Sequence, residues 1–169
     1  QVLGYMCSKF YGIRFISGLS PHKRARYLLI FIGVAWLSLF LFAVIPAPYN
    51  ILCMFLNGLP LGMVFGLVFG YLEGRTTTEI MGAFLATSFI FASGLAKSIG
   101  KWLILDFHVS DWWMPFCAGS VFILPFVLAV RLLQKAPPPS AIDIAARSER
   151  KPMTQEQRRA FLSTYGRAI

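Results

Sequence analysis

The chain has 169 residues, of which 57% are hydrophobic and only 14% are charged. Soluble domains normally carry about 25% charged residues, so this excess of apolar side chains excludes an ordinary soluble fold. The net charge of +9 comes mainly from two basic segments, residues 22–26 and the stretch after Arg131, and both flank apolar blocks. That distribution is typical of cytoplasmic loops, so we expect a lipid bilayer as partner and no nucleic acid.

Apolar blocks near the length of a membrane span recur five times along the chain. A helix rises about 1.5 Å per residue, so a block of about 20 residues crosses the ~30 Å hydrocarbon layer. The second block ends at Pro46-Ala47-Pro48, because proline has no backbone N–H with which to continue a helix. The predicted fold is an all-α polytopic bundle over residues 1–134, with about five transmembrane helices at 1–19, 27–45, 50–72, 80–105 and 112–133.

The loops between the spans predict their orientation. Lys and Arg follow the first, third and fifth spans, whereas the loops 46–49 and 106–111 hold neither. Because positively charged loops stay in the cytoplasm, the first residue is predicted outside and the C-terminal segment inside. Trp102, Trp112 and Trp113 cluster at the predicted outer boundary, where amphipathic rings are enriched.

The composition changes abruptly after the fifth span. Ala136-Pro137-Pro138-Pro139 predicts a stiff spacer, and residues 135–169 are predicted to form a basic cytoplasmic linker. From Thr154 onwards two interpretations stay open. One is a short amphipathic helix that rests Phe161 and Tyr165 on the lipid headgroups, and the other is a solvated linker to a further membrane segment.

Glycine recurs at every fourth position of the third span and lines one face of the predicted helix, at Gly58, Gly62, Gly66 and Gly70. In lipid, small residues let helix backbones approach closely, so the favoured interpretation is helix packing. The alternative is a groove along a substrate path, in which Asn57 supplies a polar group.

Two lysines at membrane depth are the candidates for binding a solute. A Lys at a helix centre costs roughly 2.5–3.5 kcal/mol on insertion scales and is usually retained for function. Lys9 shares a helix face with Tyr5 and Ser8, and Lys97 shares one with Ser93. No carboxylate is predicted at membrane depth, so a cavity containing both lysines favours an anion. The predicted substrate-binding residues are Tyr5, Ser8, Lys9, Asn57, Ser93 and Lys97.

The sequence holds no recognisable set of catalytic residues. His22 and His108 fall in loops on opposite sides of the predicted membrane, and no nucleotide-binding loop is present. The three cysteines, Cys7, Cys53 and Cys117, lie inside apolar blocks without a Cys-x-x-Cys pair. We therefore predict no metal site, no disulfide framework and no cofactor.

The order and orientation of the spans resemble the amino-terminal half of a major facilitator superfamily transporter, from its second helix to its sixth. That family carries a signature of the form G-x-x-x-D-R-x-G-R-R between helices two and three. Residues 18–27 keep its first glycine and two of its basic positions, at Gly18, Lys23 and Arg26, and differ at the aspartate and the second glycine. The resemblance implies that these three residues belong to a cytoplasmic gating loop.

Three further segments, 57–62, 71–75 and 147–153, resemble a bacterial branch grouped as domain of unknown function 5690. The resemblance to the transporters implies one helix before Gln1 and a second bundle of about six helices after Ile169. The implied function is part of a secondary transporter of the bacterial inner membrane, which moves a small solute, with an anion favoured, by alternating access. The alternative is a transporter-shaped scaffold or accessory subunit without transport activity, and a membrane enzyme is disfavoured.

Overall fold

The computed structural model describes residues 1–17, 19, 21–137 and 139–146. All the regular structure of these residues is helical, which confirms the predicted fold class. The segment from Thr154, for which a short helix was one interpretation, lies outside the described residues. The helices are α1 (Val2–Ser17), α2 (Pro21–Val44), α3 (Asn50–Leu72), α4 (Thr78–Leu105), α5 (Met114–Gln134) and α6 (Ala141–Ala146).

Four helices, α2 to α5, are long and apolar enough to cross a membrane. They make the chain a multi-pass helical membrane protein. The first predicted span corresponds to α1, whose 16 residues cover about 24 Å at 1.5 Å per residue. That length is shorter than the ~30 Å hydrocarbon layer, so the crossing of the membrane by α1 stays a prediction.

Helix α2 extends further towards the N-terminus than the predicted second span. It begins at Pro21 and not at residue 27, so residues 23–26 lie on its first turns and not in a loop. Proline suits this position because the first N–H groups of a helix have no partner within the helix. The short helix α6 was not predicted from the sequence.

Helix α3 lies at the centre of the bundle and packs against α1, α2 and α4, while α5 packs against α2 and α4. Helices α1 and α3 run parallel, with Gln1 beside Gly58 and Ile16 beside Gly66. Helix α2 lies between them in sequence and is joined to each by a short connection, so it runs in the opposite direction.

Two clusters hold α5 against α2. At one level, the Trp36 ring stacks on Phe116 with centroids 4.9 Å apart, and Trp36 Nε1 donates a hydrogen bond to Ser120 Oγ at 3.0 Å. At the other level lies a buried apolar cluster that also includes α3, formed by Ala25, Leu28, Leu67 and Val130.

Glycine forms the contact surface between α1 and α3. A Cβ atom added to Gly58 would overlap the carbonyl oxygen of Gln1, and one added to Gly62 would overlap the Ser8 hydroxyl. From the other side, a Cβ on Gly4 would overlap the backbone of α3. The two backbones therefore approach as closely as helices do in small-residue membrane interfaces.

Gly58→Ala should lower the free energy of unfolding by about 1–3 kcal/mol, because the added methyl group forces the two backbones apart. Gly33→Ala on α2 is the matched control, since a Cβ atom at Gly33 would meet open space. We expect the control to keep the wild-type melting temperature in detergent. Equal losses of stability in the two variants would contradict the close approach of α1 and α3.

Candidate functional site

A cavity of about 500 Å³ opens between α2, α3 and α5. Helix α2 contributes Ile32 and Leu39 to its walls, α3 contributes Met54 and Leu61, and α5 contributes Phe122. No charged side chain lines it among the residues that the structure describes. The cavity therefore offers an apolar surface and no charge with which to bind an ionic solute.

The polar groups at the cavity wall already have hydrogen-bond partners. Asn57 Nδ2 donates to the Ala35 carbonyl at 2.8 Å, and Asn57 Oδ1 accepts from Gln1 Nε2 at 2.7 Å. Trp36 donates its hydrogen bond to Ser120 Oγ. Asn57 is 2% exposed, and its amide hydrogen-bonds α1, α2 and α3 to one another at one level. Asn57 also lines the cavity, and its role on a substrate path stays a prediction from the sequence.

Lys9 lies at mid-depth on the surface of α1. Its neighbour Ser8 is buried against Gly62, which is close to the midpoint of the 23-residue helix α3. Ser8 Oγ donates to the Tyr5 carbonyl at 2.9 Å, and Lys9 Nζ lies 4.7 Å from the centroid of the Tyr5 ring. The Lys9 side chain itself is exposed. Its charge therefore lies at the surface, level with the middle of α3.

Lys97 and Ser93 lie on α4, and both are exposed. Phe89, two turns before Lys97, meets Phe65 of α3 with ring centroids 5.9 Å apart. Neither Lys97 nor Lys9 lines the apolar cavity. The six predicted substrate-binding residues therefore occupy three separate places: Asn57 in the junction of α1, α2 and α3, a group on α1, and a pair on α4.

The predicted gating residues stand at the start of α2, where Lys23 and Arg26 are exposed, while Gly18 lies outside the described residues. Arg24, between the two, turns into the bundle instead. Its Nη1 donates to the carbonyl of Gly70, and its buried Nε has no hydrogen-bond partner in the described part of the chain. The family signature leaves this position variable, so the signature could not single it out. Its spacing of four residues from the buried Leu28 would have placed it on the inward face.

A polar cluster around Asp143, which was not predicted from the sequence, holds the beginning of the linker. Asp143 accepts hydrogen bonds of 2.8–3.0 Å from the N–H and hydroxyl groups of Thr76 and Ser140. Ser140 and Asp143 have the spacing of a capping box, which could have predicted the start of α6. The distant partner Thr76 leaves no local pattern in the sequence.

These hydrogen bonds set the charge of Asp143. The N–H groups of Thr76 and Ser140 hold the pKa of its carboxyl well below the usual range, because they favour the ionised form. A lowered pKa means that the carboxylate contributes stability above its unfolded pKa of about 3.9, and that this stability is lost as the pH falls below it. The cluster is therefore intact throughout the physiological pH range.

Four membrane-spanning helices, α2 to α5, with the glycine-lined α3 at the centre of the bundle, define a polytopic helical membrane protein. The chain belongs to the family of unknown function DUF5690, whose family model matches residues 1–169. No model of a major facilitator family matches it. Neither a curated protein nor a solved structure matches the chain. The wider relation to those transporters therefore stays an expectation from the sequence.

Within residues 1–17, 19, 21–137 and 139–146, no three His, Cys, Asp or Glu side chains converge as a metal site would require.

Asn57→Leu should lower the free energy of unfolding by about 1–3 kcal/mol, because it removes two interhelical hydrogen bonds and leaves the Gln1 amide and the Ala35 carbonyl without them. Met54→Leu, at the same cavity wall, preserves volume and should change the melting temperature little. Thermal unfolding in detergent measures both. If Asn57→Leu had the same melting temperature as the wild type, the amide would not be holding the three helices together.

Proposed function

We propose that the chain is part of a secondary transporter of the bacterial inner membrane, which moves a small anionic solute by alternating access. The observation that carries the proposal is the exposed position of Lys9 at mid-depth on α1. A membrane protein that only packs against lipid has no use for such a charge, since a central Lys costs roughly 2.5–3.5 kcal/mol on insertion scales.

The local surroundings of Lys9 offset only part of that cost. Its contact with the Tyr5 ring is worth about 0.5–2 kcal/mol, according to how far water is excluded. Of the described carboxylates, Glu79 lies in the first turn of α4, far from the middle of that helix. The others lie in loops or in α6, at Glu73, Asp106, Asp111 and Asp143. A water-filled path or a bound anion would supply the remaining stabilisation.

Lys97 supports the same interpretation from a second helix. Helices α1 and α4 both pack on α3. Helix α1 carries the exposed Lys9, and α4 carries the exposed Lys97 one turn further from the predicted membrane boundary than Lys101. A path bounded by these two helices would have a positive potential that concentrates anions. The apolar cavity between α2, α3 and α5 contains neither lysine, so the proposed path is separate from it.

A second candidate function is that of a scaffold or accessory subunit without transport activity. The middle of α4 favours it: between Ile80 and Ser98 every residue except Gly82 and Leu85 is exposed. Such a helix can be covered by another protein subunit as well as by lipid. Transport measurements separate the two candidates.

Lys9→Gln should lower the uptake of the transported anion about tenfold, a loss of about 1.4 kcal/mol in binding, while the yield of folded protein stays unchanged. Uptake is measured in proteoliposomes with a panel of radiolabelled organic anions. Lys101→Gln is the matched control, because Lys101 is exposed close to Trp102 at the predicted membrane boundary. Unchanged uptake by Lys9→Gln would remove this lysine from the path, and a wild-type protein inactive towards the whole panel would favour the scaffold.

The proposed orientation places the start of α2 in the cytoplasm and the α4–α5 loop outside. In a variant that lacks the native cysteines, a cysteine at the exposed His108 should react with an impermeant maleimide added to intact cells. A cysteine at the exposed Lys23 should react only after the cells are opened. The reverse pattern would invert the topology.

A further inference from the structure

We propose that residues 135–137 and 139–146 form a strap that fastens the end of α5 to the turn between α3 and α4, and so fixes the N-terminal end of α4 to the bundle. The proposal goes beyond the proposed function, because it concerns how the helices are held together and is independent of what they transport.

The carboxylate of Asp143 makes the first fastening. Its Oδ1 accepts hydrogen bonds from Thr76 N at 2.8 Å and from Thr76 Oγ1 at 3.0 Å. Its Oδ2 accepts from Ser140 N at 2.8 Å and from Ser140 Oγ at 2.9 Å. One carboxylate oxygen of Asp143 thus accepts hydrogen bonds from the turn between α3 and α4, and the other accepts hydrogen bonds from within the strap. Asp143 is only 9% exposed, so water competes little for these bonds.

Arg75 makes the second fastening, one residue before Thr76 in the same turn. Its Nη2 donates to the carbonyl of Pro137 at 2.6 Å, and its Nε donates to the carbonyl of Tyr71 at 3.2 Å. The guanidinium therefore joins the last turn of α3 to the strap. Two neighbouring residues of the turn hold the strap at two points that are six positions apart.

The turn has a fixed shape that presents these groups. Gly74 has a φ of 78°, in the left-handed region that favours glycine. The Thr78 hydroxyl accepts from Arg75 N at 2.9 Å and donates to the carbonyl of Leu72 at 2.8 Å. At the other end of the strap, Val130 of α5 is 3% exposed in the apolar cluster with Leu28. Both ends of the strap therefore start from ordered parts of the bundle.

The sparse packing of α4 gives the strap its role. The buried residues of α4, Gly100 and Leu103, lie near its C-terminal end, where Gly100 faces Met114 of α5. Most of the helix before them is exposed. In this part of α4, the Phe89 ring contacts Phe65 of α3. Helices α4 and α5 thus form a long hairpin that is packed near its closed end. The strap joins the other ends of the same two helices.

Fastened in this way, α4 is held at both ends and lightly supported between them. Breaking the Asp143 hydrogen bonds would remove one of the two fastenings at its N-terminal end and leave only the bond from Arg75 to Pro137, so that end would move more freely relative to α5. The glycine contact between α1 and α3 would remain. The strap is therefore a conformational device that controls how freely α4 moves relative to the other helices.

Limited trypsin digestion of the purified protein tests the proposal, because Arg75 and Lys135 are potential cleavage sites beside the two fastenings. Asp143→Ala should raise the rate of cleavage after both residues about tenfold, because the strap then opens locally more often. The cleavage rate of Asp143→Asn should fall between those of the wild type and Asp143→Ala, because the amide oxygen can accept hydrogen bonds and the amide NH₂ group cannot. Asp111→Ala removes an exposed carboxylate from the α4–α5 loop and should leave both rates unchanged.

Mass spectrometry of the fragments and hydrogen exchange at the Thr76 and Ser140 amides locate the change. Faster cleavage and exchange confined to the strap and the turn would support the proposal. Unchanged rates in Asp143→Ala would overturn it. If that variant loses its fold throughout, Thr76→Val decides, because it removes one hydroxyl donor only: local acceleration supports the strap, and wild-type rates contradict it.

Discussion

The buried amide of Asn57 is the interaction on which the centre of this bundle depends. In lipid, apolar side chains gain little by leaving the hydrocarbon, so helix association rests on close packing and on interhelical hydrogen bonds. Asn57 supplies two such bonds, one to the backbone of α2 and one to Gln1 beside α1. The second is within reach because Gly58 lets the start of α1 lie against α3. Close approach and polar bonding therefore reinforce each other at one level of the bundle.

The sequence predicted those features that have a local pattern. The predicted third span, residues 50–72, coincides with α3 because a proline-rich turn precedes it and the charged residues after Leu72 end its apolar run. Two of the tryptophans at the predicted outer boundary also pack against α2. The Trp113 ring contacts Phe40, and the Trp112 ring contacts Phe42, so these two tryptophans join the α4–α5 loop to α2.

The features that the sequence did not predict depend on partners far along the chain. Asp143 and Thr76 are 67 positions apart, and neither has a neighbour that predicts the other. Arg24 stands among three basic residues of similar chemistry, and only the packing of α2 on α3 directs it inward. Leu67 is fully buried although it follows the glycine stripe directly, because α3 is surrounded on more than one face. Tertiary packing decides each case, and a helical period alone does not reveal how many faces of a helix are covered.

The polar groups of the described bundle fall into two sets, and the difference bears on function. Asn57, Trp36 and Asp143 have hydrogen-bond partners in other parts of the chain, so the fold accounts for their presence. Lys9 and Lys97 lie exposed on α1 and α4, and within the residues that the structure describes the fold uses their charges only in the contact of Lys9 with the Tyr5 ring. A costly group with so little structural use is usually retained for function. Lys97 belongs to α4, which the proposed strap would hold at its N-terminal end. Movement of that helix would carry the charge of Lys97 with it, so the strap and the proposed transport function meet in the same helix.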